Sequence, residues 1–231
     1  MEWYWLPEYA PKFAEGLWLT IQLLALSIFF GMMLAIPIGL VQVTGPRPLA
    51  WLAKAFCTVI RGTPLLIQLW LIYYGLGSLF PFVPAIRESF LWPILRDAFP
   101  YAVVAFSLSV AGYEGEIMRG AFRGVPKGEL EAARAIGMSK FQILYRIWLP
   151  RALQNVFPTL AGEFILTLKA TPLAATITVF EVYGIGTIVR QETYRIYEPL
   201  LLLAAIYLCL TGVLVMFFRY MENRIPKAKL N

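Results

Sequence analysis

Long apolar stretches without charge dominate the pattern along this chain. No Asp, Glu, Lys or Arg occurs in residues 16–46, 62–86, 98–113 or 199–218, and only Glu163 and Lys169 interrupt residues 152–180. About 20 helical residues cross the hydrocarbon core of a bilayer. The pattern therefore predicts an all-α integral membrane protein with five spanning helices. Their predicted ranges are 17–43, 65–80, 101–118, 152–173 and 200–218.

The composition supports a membrane protein and excludes several kinds of chemistry. Hydrophobic residues make up 59% of the chain and charged residues 15%, against about 25% charged in soluble domains. There is no His, and the two cysteines, Cys57 and Cys209, lie in apolar stretches. We therefore expect no His-based catalysis, no metal site and no cofactor.

The distribution of basic residues predicts an orientation. The loops on one side of the predicted spans carry fourteen Lys and Arg, and those on the other side carry five. By the positive-inside rule the richer side is cytoplasmic. The N-terminus is then outside and the C-terminus inside. We interpret residues 1–16, acidic and aromatic at their start, as an extracytoplasmic interfacial segment, and residues 219–231 as a cytoplasmic tail.

The predicted cytoplasmic loop at 126–150 contains strong helix signals. Pro126 can open one helix and Gly137 can end it in a left-handed turn. Ser139 and Gln142 have the spacing of a capping box for a second helix, which Pro150 is expected to end. Apolar residues share one face in each helix: Leu130, Ala133 and Ile136 in the first, and Phe141, Leu144 and Trp148 in the second. Such a hairpin can dock into a partner or lie on lipid headgroups.

Several motifs in the chain match those of a known family. The segment from Glu131 to Pro150 has the pattern EAA-x3-G-x9-I-x-L-P. Further matching segments are 61–66 (RGTPLL), 113–123, 168–171 (LKAT) and 177–178 (IT). Together they resemble the permease subunits of bacterial ABC importers of polar amino acids, especially the basic amino acid and opine branch. The resemblance covers roughly residues 16–218 and implies an ABC transmembrane type-1 domain at 17–218, with the type I (MetI-like) fold.

The resemblance implies coupling residues and partners. The loop at 126–150 would seat in a groove of a cytoplasmic ATPase, and two such ATP-binding subunits are expected. The implied coupling residues are Glu131, Ala132, Ala133, Gly137, Phe141, Ile147, Leu149 and Pro150. A periplasmic binding protein and a second permease, a paralogue forming a heterodimer, are the other expected partners. The chain lacks a G-x4-GK[ST] phosphate loop, so we expect that it is not itself an ATPase. The resemblance implies a permease of the bacterial inner membrane, and we expect no binding of nucleic acid.

Charges inside a predicted span are the first candidates for substrate contact. Glu163 is twelve residues past Arg151, about 18 Å into the membrane. Lys169 lies about 9 Å further and about 120° around the helix, so the two cannot pair. Glu163 is expected to bind a cationic group of the ligand or a structural partner. Lys169 can contact ligand or extend to the interface, and Thr171 can bond a ligand carboxylate or its own helix.

Two further groups have open interpretations. Arg61, Thr63 and Pro64 can form a hinge and charge anchor at the cytoplasmic mouth, or an ordinary basic anchor. Small residues near the end of the third span suit contact between permeases or packing within the chain; they are Gly112, Gly115, Gly120 and Gly124. The expected function is import of basic amino acids or opines. Neutral or acidic polar amino acids are the alternative within the family, and a channel or carrier is the alternative outside it.

Overall fold

The computed structural model describes residues 3–224, and this part of the chain contains helices and no strand. The prediction of an all-α protein is confirmed. The α-helices are α1 (Leu6–Thr44), α2 (Arg47–Gly62), α3 (Leu65–Trp70), α4 (Pro84–Arg87), α5 (Trp92–Leu95), α6 (Ala98–Arg123), α7 (Lys127–Ala135), α8 (Lys140–Ile143), α9 (Leu149–Ala170), α10 (Val182–Thr193) and α11 (Tyr197–Arg224). Short π-helices at Leu71–Gly77 and Leu144–Trp148, and 3₁₀-helices at Phe80–Phe82 and Thr171–Ile177, extend or join them.

Within residues 3–224, four helical segments are long and apolar enough to cross a membrane. They are Leu6–Thr44, Leu65–Phe82, Lys140–Ile177 and Tyr197–Arg224. The remaining predicted span, 101–118, falls within α6, which has 26 residues and a length of about 39 Å. Its interior position explains its more polar sequence, because Ala102, Ala105 and Phe106 are fully buried by the surrounding helices. The orientation of these helices in a membrane stays a prediction.

Two helix boundaries differ from the predictions. Helix α1 begins at Leu6 and not at residue 17, because Trp5, Tyr9 and Phe13 pack against residues of α10 and α11. Pro150 does not end a helix, so that prediction is wrong. The π-helix Leu144–Trp148 joins α8 to α9, and Pro150 lies in the first turn of α9, where its missing donor is tolerated. Helix α11 continues to Arg224, into the predicted tail, of which residues 225–231 lie outside the described part.

Glycines allow close packing around α6. An added Cβ at Gly31 of α1 would collide with the Val110 side chain, and one at Gly112 would collide with Ile60 of α2. At Gly115 it would lie 2.9 Å from Ile38. Packing within the chain therefore accounts for Gly112 and Gly115. Gly120 faces open space.

A buried carboxylate connects α1, α10 and α11. Glu181 is 0% exposed and caps α10 by accepting a 3.0 Å hydrogen bond from the backbone N–H of Gly184. Its Oε2 accepts bonds from Thr20 Oγ1 at 3.1 Å and from the Tyr207 hydroxyl at 2.8 Å. These three donors satisfy the carboxylate and fix the three helices relative to one another.

Candidate substrate pocket and coupling loop

A cavity of about 240 Å³ lies where the junction of α2 and α3 meets α6 and α9. Its walls combine apolar side chains with hydroxyl groups and two carboxylates. The lining residues are Thr63, Leu65, Phe106, Ser109, Val110, Tyr113, Glu114, Glu163, Leu166, Thr167 and Ala170. On α9 these residues follow the spacing i, i+3, i+4, i+7, so one face of the helix forms the wall. We call this cavity the acidic pocket.

The acidic pocket contains two carboxyl groups, Glu114 and Glu163, and no Lys or Arg among its lining residues. Glu163 is half-buried, whereas Glu114 is 1% exposed. Glu114 Oε2 is buried without a hydrogen-bond donor among the described residues. Burying an unpaired carboxylate is costly. A cationic ligand group in this cavity would supply both the counter-charge and the missing donor.

Thr63 places the RGTP motif at this pocket. Its hydroxyl donates to Val59 O at 2.9 Å and accepts from Gln68 Nε2 at 2.8 Å, so its position is fixed. Pro64 precedes the first residue of α3. The guanidinium of Arg61 lies 5.7 Å from the ring centroid of Tyr113. The structure thus places Thr63 beside Glu163 in one cavity, and the roles of Arg61, Thr63 and Pro64 as hinge and anchor stay predictions.

The other two candidate substrate residues lie outside the acidic pocket. Lys169 is exposed and is not among the lining residues. Thr171 is fully buried; its hydroxyl bonds to Leu168 O at 2.9 Å and is 3.2 Å from the Tyr207 hydroxyl. Thr171 therefore belongs to the network around Glu181. Lys169 and Thr171 therefore lie outside the proposed site.

Sequence reasoning did not select Glu114 as a site residue. The predicted third span ended at residue 118, which placed Glu114 near a boundary where a charge is unremarkable. In the structure α6 continues to Arg123, so Glu114 lies further inside the helix and its side chain is buried. The available signal was a carboxylate directly following the charge-free stretch 98–113.

The coupling loop has the predicted turn. Gly137 has φ +83°, the left-handed conformation that glycine adopts without strain. The bonds from Gly137 N to Arg134 O and from Met138 N to Ala133 O close the end of α7 in a Schellman motif. Ser139 and Gln142 form the predicted capping box at the start of α8. The local geometry of the turn is therefore well defined.

The tip of this loop is apolar and exposed. Ile136 is 79% exposed, Phe141 73% and Tyr145 66%, and the rings of Phe141 and Tyr145 are stacked with centroids 6.3 Å apart. The prediction that Ile136 shares one face with Ala133 is wrong, because Ala133 is buried and Ile136 is exposed. The prediction that Phe141 shares one face with Trp148 is also wrong, because Phe141 is exposed and Trp148 is half-buried. Exposed apolar side chains of this size indicate a contact surface.

The base of the loop is anchored to the membrane helices. The Trp148 indole N–H donates to Phe122 O at 2.8 Å, and Arg151 holds Glu129 through two hydrogen bonds of 3.0 and 3.1 Å. The motif residues divide between the two parts. Glu131, Ala132 and Pro150 are exposed, Ile147 and Leu149 are half-buried, and Ala133 is buried. These contacts therefore tie the base of the loop to α6 and α9.

This arrangement, a helical membrane domain with a pocket between spans and an anchored loop, is that of a transport permease. Residues 27–227 match the family described as the binding-protein-dependent transport system inner membrane component. The chain belongs to this family. It is a multi-pass permease subunit of the bacterial inner membrane.

Curated relatives match over most of the chain. The octopine transport system permease protein OccM of Rhizobium radiobacter is 40% identical over 211 residues, covering 90% of this chain and 83% of the relative. The nopaline permease NocM of Agrobacterium fabrum is 35% identical and covers 96% of this chain and 92% of its own length. The arginine permease ArtM of Escherichia coli K12 is 34% identical, covering 94% and 96%.

Solved structures share the fold. A chain from the crystal structure of an amino acid ABC transporter with histidines has a TM-score of 0.78 and 30% identity, covering 97% of this chain and 99% of that chain. A chain of the MetNI methionine ABC transporter has a TM-score of 0.77 at 17% identity, covering 95% and 99%. The second comparison concerns the fold alone. The expected MetI-like permease fold is confirmed.

Proposed function

We propose that this permease passes basic amino acids or opines across the inner membrane, with Glu163 and Glu114 facing the cationic group of the ligand. The observation that carries this proposal is the acidic pocket, which contains two carboxylates and no basic side chain. The names of the relatives, which include octopine, nopaline and arginine permeases, support the same ligand class. An acidic amino acid would meet like charge in this pocket.

The energy for transport comes from partner ATP-binding subunits in this proposal. The importer contains two such subunits, and one of them docks on this chain's loop tip formed by Ile136, Phe141 and Tyr145, which is an exposed apolar surface next to the Gly137 turn. A periplasmic binding protein delivers the ligand. A second permease, a paralogue of this chain, completes the pathway.

Replacing Glu163 by Gln tests the ligand assignment. The change keeps the shape and removes the charge, so a charge-assisted hydrogen bond of about 1.5–3 kcal/mol is lost. Uptake of arginine or octopine at subsaturating supply should fall about 10- to 100-fold. Uptake of glutamine should fall less. The measurement is transport by the complete importer in membrane vesicles.

A matched control distinguishes ligand contact from a structural role. Glu88→Gln changes an exposed carboxylate outside the acidic pocket and should leave uptake of both ligands unchanged. A purely structural Glu163 would instead give equal losses for arginine and glutamine, together with a lower melting temperature of the complex. That result would contradict the proposed role.

A further inference from the structure

A second cavity, of about 260 Å³, lies at the opposite end of α2 from the acidic pocket. Helices α1, α2 and α6 form it where α1 and α6 end. Its lining residues are Gln42, Ala50, Trp51, Lys54, Arg119 and Arg123. We call it the basic cleft. It shares no residue with the acidic pocket or with the coupling tip.

The basic cleft has an excess of positive charge. Arg119 is paired with Glu116, with Nε donating to Oε1 at 2.7 Å. Lys54 and Arg123 are exposed and make no ion pair within residues 3–224. Like charges in one cleft repel one another, and an anion between Lys54 and Arg123 would relieve that repulsion. The cleft therefore has two uncompensated cations available for an anionic ligand.

The cleft lies at the end of a predicted membrane span, residues 17–43. Helix α2 runs antiparallel to α6, since Ile60 packs on Gly112 and Cys57 on Gly115. Lys54 is one turn beyond Cys57, and Arg119 is one turn beyond Gly115, so both lie toward the common end of the helices. This end carries the last residue of the spanning helix α1, Thr44.

An exposed aromatic side chain, Trp51, is among the residues that line the cleft. Trp51 is 68% exposed and the adjacent Leu52 is 56% exposed. A Trp beside basic side chains at the end of a spanning helix is typical of the interface between headgroups and acyl chains. A soluble anion would leave Trp51 and Leu52 exposed to water, whereas the acyl chains of a lipid would cover them.

We infer that the basic cleft binds the phosphate of an anionic phospholipid. Arg123 and Lys54 contact the phosphate oxygens, and Trp51 with Leu52 contacts the acyl chains. Basic pockets between spanning helices suit such headgroups because guanidinium and ammonium groups both bond phosphate oxygens. The inference is independent of the transported ligand and of the orientation of the chain.

Native mass spectrometry of the importer complex purified through this chain tests the inference. The probes are dioleoyl phosphatidylglycerol and dioleoyl phosphatidylcholine, which share acyl chains and differ in net charge. Each basic residue near the surface contributes about fivefold to affinity for anionic lipid. The double variant Lys54→Gln with Arg123→Gln should therefore bind phosphatidylglycerol about 25-fold more weakly. Its affinity for phosphatidylcholine should not change.

Control variants keep the test specific. Arg219→Gln removes an exposed basic residue of α11 outside the cleft and should change the affinity less than twofold. Lys54→Arg with Arg123→Lys keeps both charges and should retain most of the affinity. Equal binding of the two lipids by the unaltered complex, or an equal loss in Arg219→Gln, would overturn the inference.

Two further outcomes identify a different occupant. If inorganic phosphate alone displaces phosphatidylglycerol at equal concentration, the cleft binds free phosphate and the lipid assignment is wrong. If the double variant loses copurifying subunits while its lipid affinity is unchanged, the cleft binds an acidic protein surface and the assignment is again wrong.

Discussion

Two buried glutamates, Glu114 and Glu181, differ in how completely their carboxyl groups are hydrogen-bonded. Glu181 accepts hydrogen bonds from Thr20, Tyr207 and the backbone of Gly184. Glu114 is buried to a similar degree, yet its Oε2 has no donor within the described range. Buried polar groups in stable cores are normally satisfied. The contrast indicates a structural role for Glu181 and supports the proposal that a ligand completes the site around Glu114.

The structural role of Glu181 predicts the effect of Tyr207→Phe. This change removes one donor from a fully buried carboxylate and leaves the Thr171 hydroxyl without its contact to α11. The cost should be about 1–3 kcal/mol, seen as a lower melting temperature of the purified complex. The ratio of arginine to glutamine uptake should not change.

A second tyrosine on the same helix provides the control. Tyr220 is exposed and its hydroxyl accepts a bond from Arg224 near the surface. Tyr220→Phe should leave the melting temperature nearly unchanged. Equal destabilisation by the two variants would contradict the assignment of a buried network around Glu181.

Individual residues were predictable where their signal was local. Glu163 was found because it interrupts a long apolar run, and the structure places it in the acidic pocket. The predicted alternative that Thr171 bonds its own helix is present as its hydrogen bond to Leu168 O, but its contact with Tyr207 was not predictable, because Tyr207 is 36 residues away. Such a contact depends on how helices pack, and a single sequence gives no signal for it.

At the scale of elements, the turn between α7 and α8 makes the sharpest prediction. Gly137 has φ +83°, and an added Cβ would meet nothing within 4 Å. The cost of Gly137→Val is therefore backbone strain, of about 1–3 kcal/mol, which would reshape the tip next to Ile136. Ligand transport should fall severalfold because the ATP-binding subunits seat poorly.

Gly128 is the matched control for this prediction. It lies in the same module with open space around its Cα and without a positive φ. Gly128→Val should assemble and transport nearly as well as the unaltered protein. If Gly137→Val assembles with its partners and transports at the unaltered rate, the Gly137 turn is not the coupling element.

Helix boundaries show which elements the sequence can specify. The capping box at Ser139 and the turn at Gly137 follow from local chemistry, and the structure has both. Pro150 was expected to end a helix, but the π-helix Leu144–Trp148 allows α8 to continue into α9. A π-helix adjusts backbone bonding over one turn. The sequence signal for a π-helix is less clear than the helix start and stop signals that proline and glycine provide.

At the scale of the whole molecule, the asymmetry of basic residues predicts the orientation. Fourteen Lys and Arg lie in the loops of one side and five in those of the other. A fluorescent reporter fused after Asn231 should fluoresce in the cytoplasm. Alkaline phosphatase fused at the same place should be inactive. Phosphatase activity of this fusion would contradict the predicted cytoplasmic C-terminus.

The sequence specified the helical fold and the coupling loop better than it specified the pocket. Uncharged apolar runs locate α1 and α11, and a run interrupted only by Glu163 and Lys169 locates α9, because spanning segments in lipid are long and mostly apolar. The acidic pocket forms where the junction of α2 and α3 meets α6 and α9, and a single sequence gives no signal for this packing. Only the packing of the surrounding helices places the carboxylate of Glu114 in the acidic pocket.

The most direct test of the account is ATP hydrolysis by the complete importer captured through this chain. The proposed transport of basic ligands predicts that ATP-binding subunits copurify, and that arginine or octopine, with the cognate binding protein, stimulates hydrolysis in proteoliposomes. Glu163→Gln should reduce this stimulation about 10- to 100-fold at subsaturating ligand. Stimulation that is strongest with glutamate, or that is unaffected by Glu163→Gln, would contradict the account.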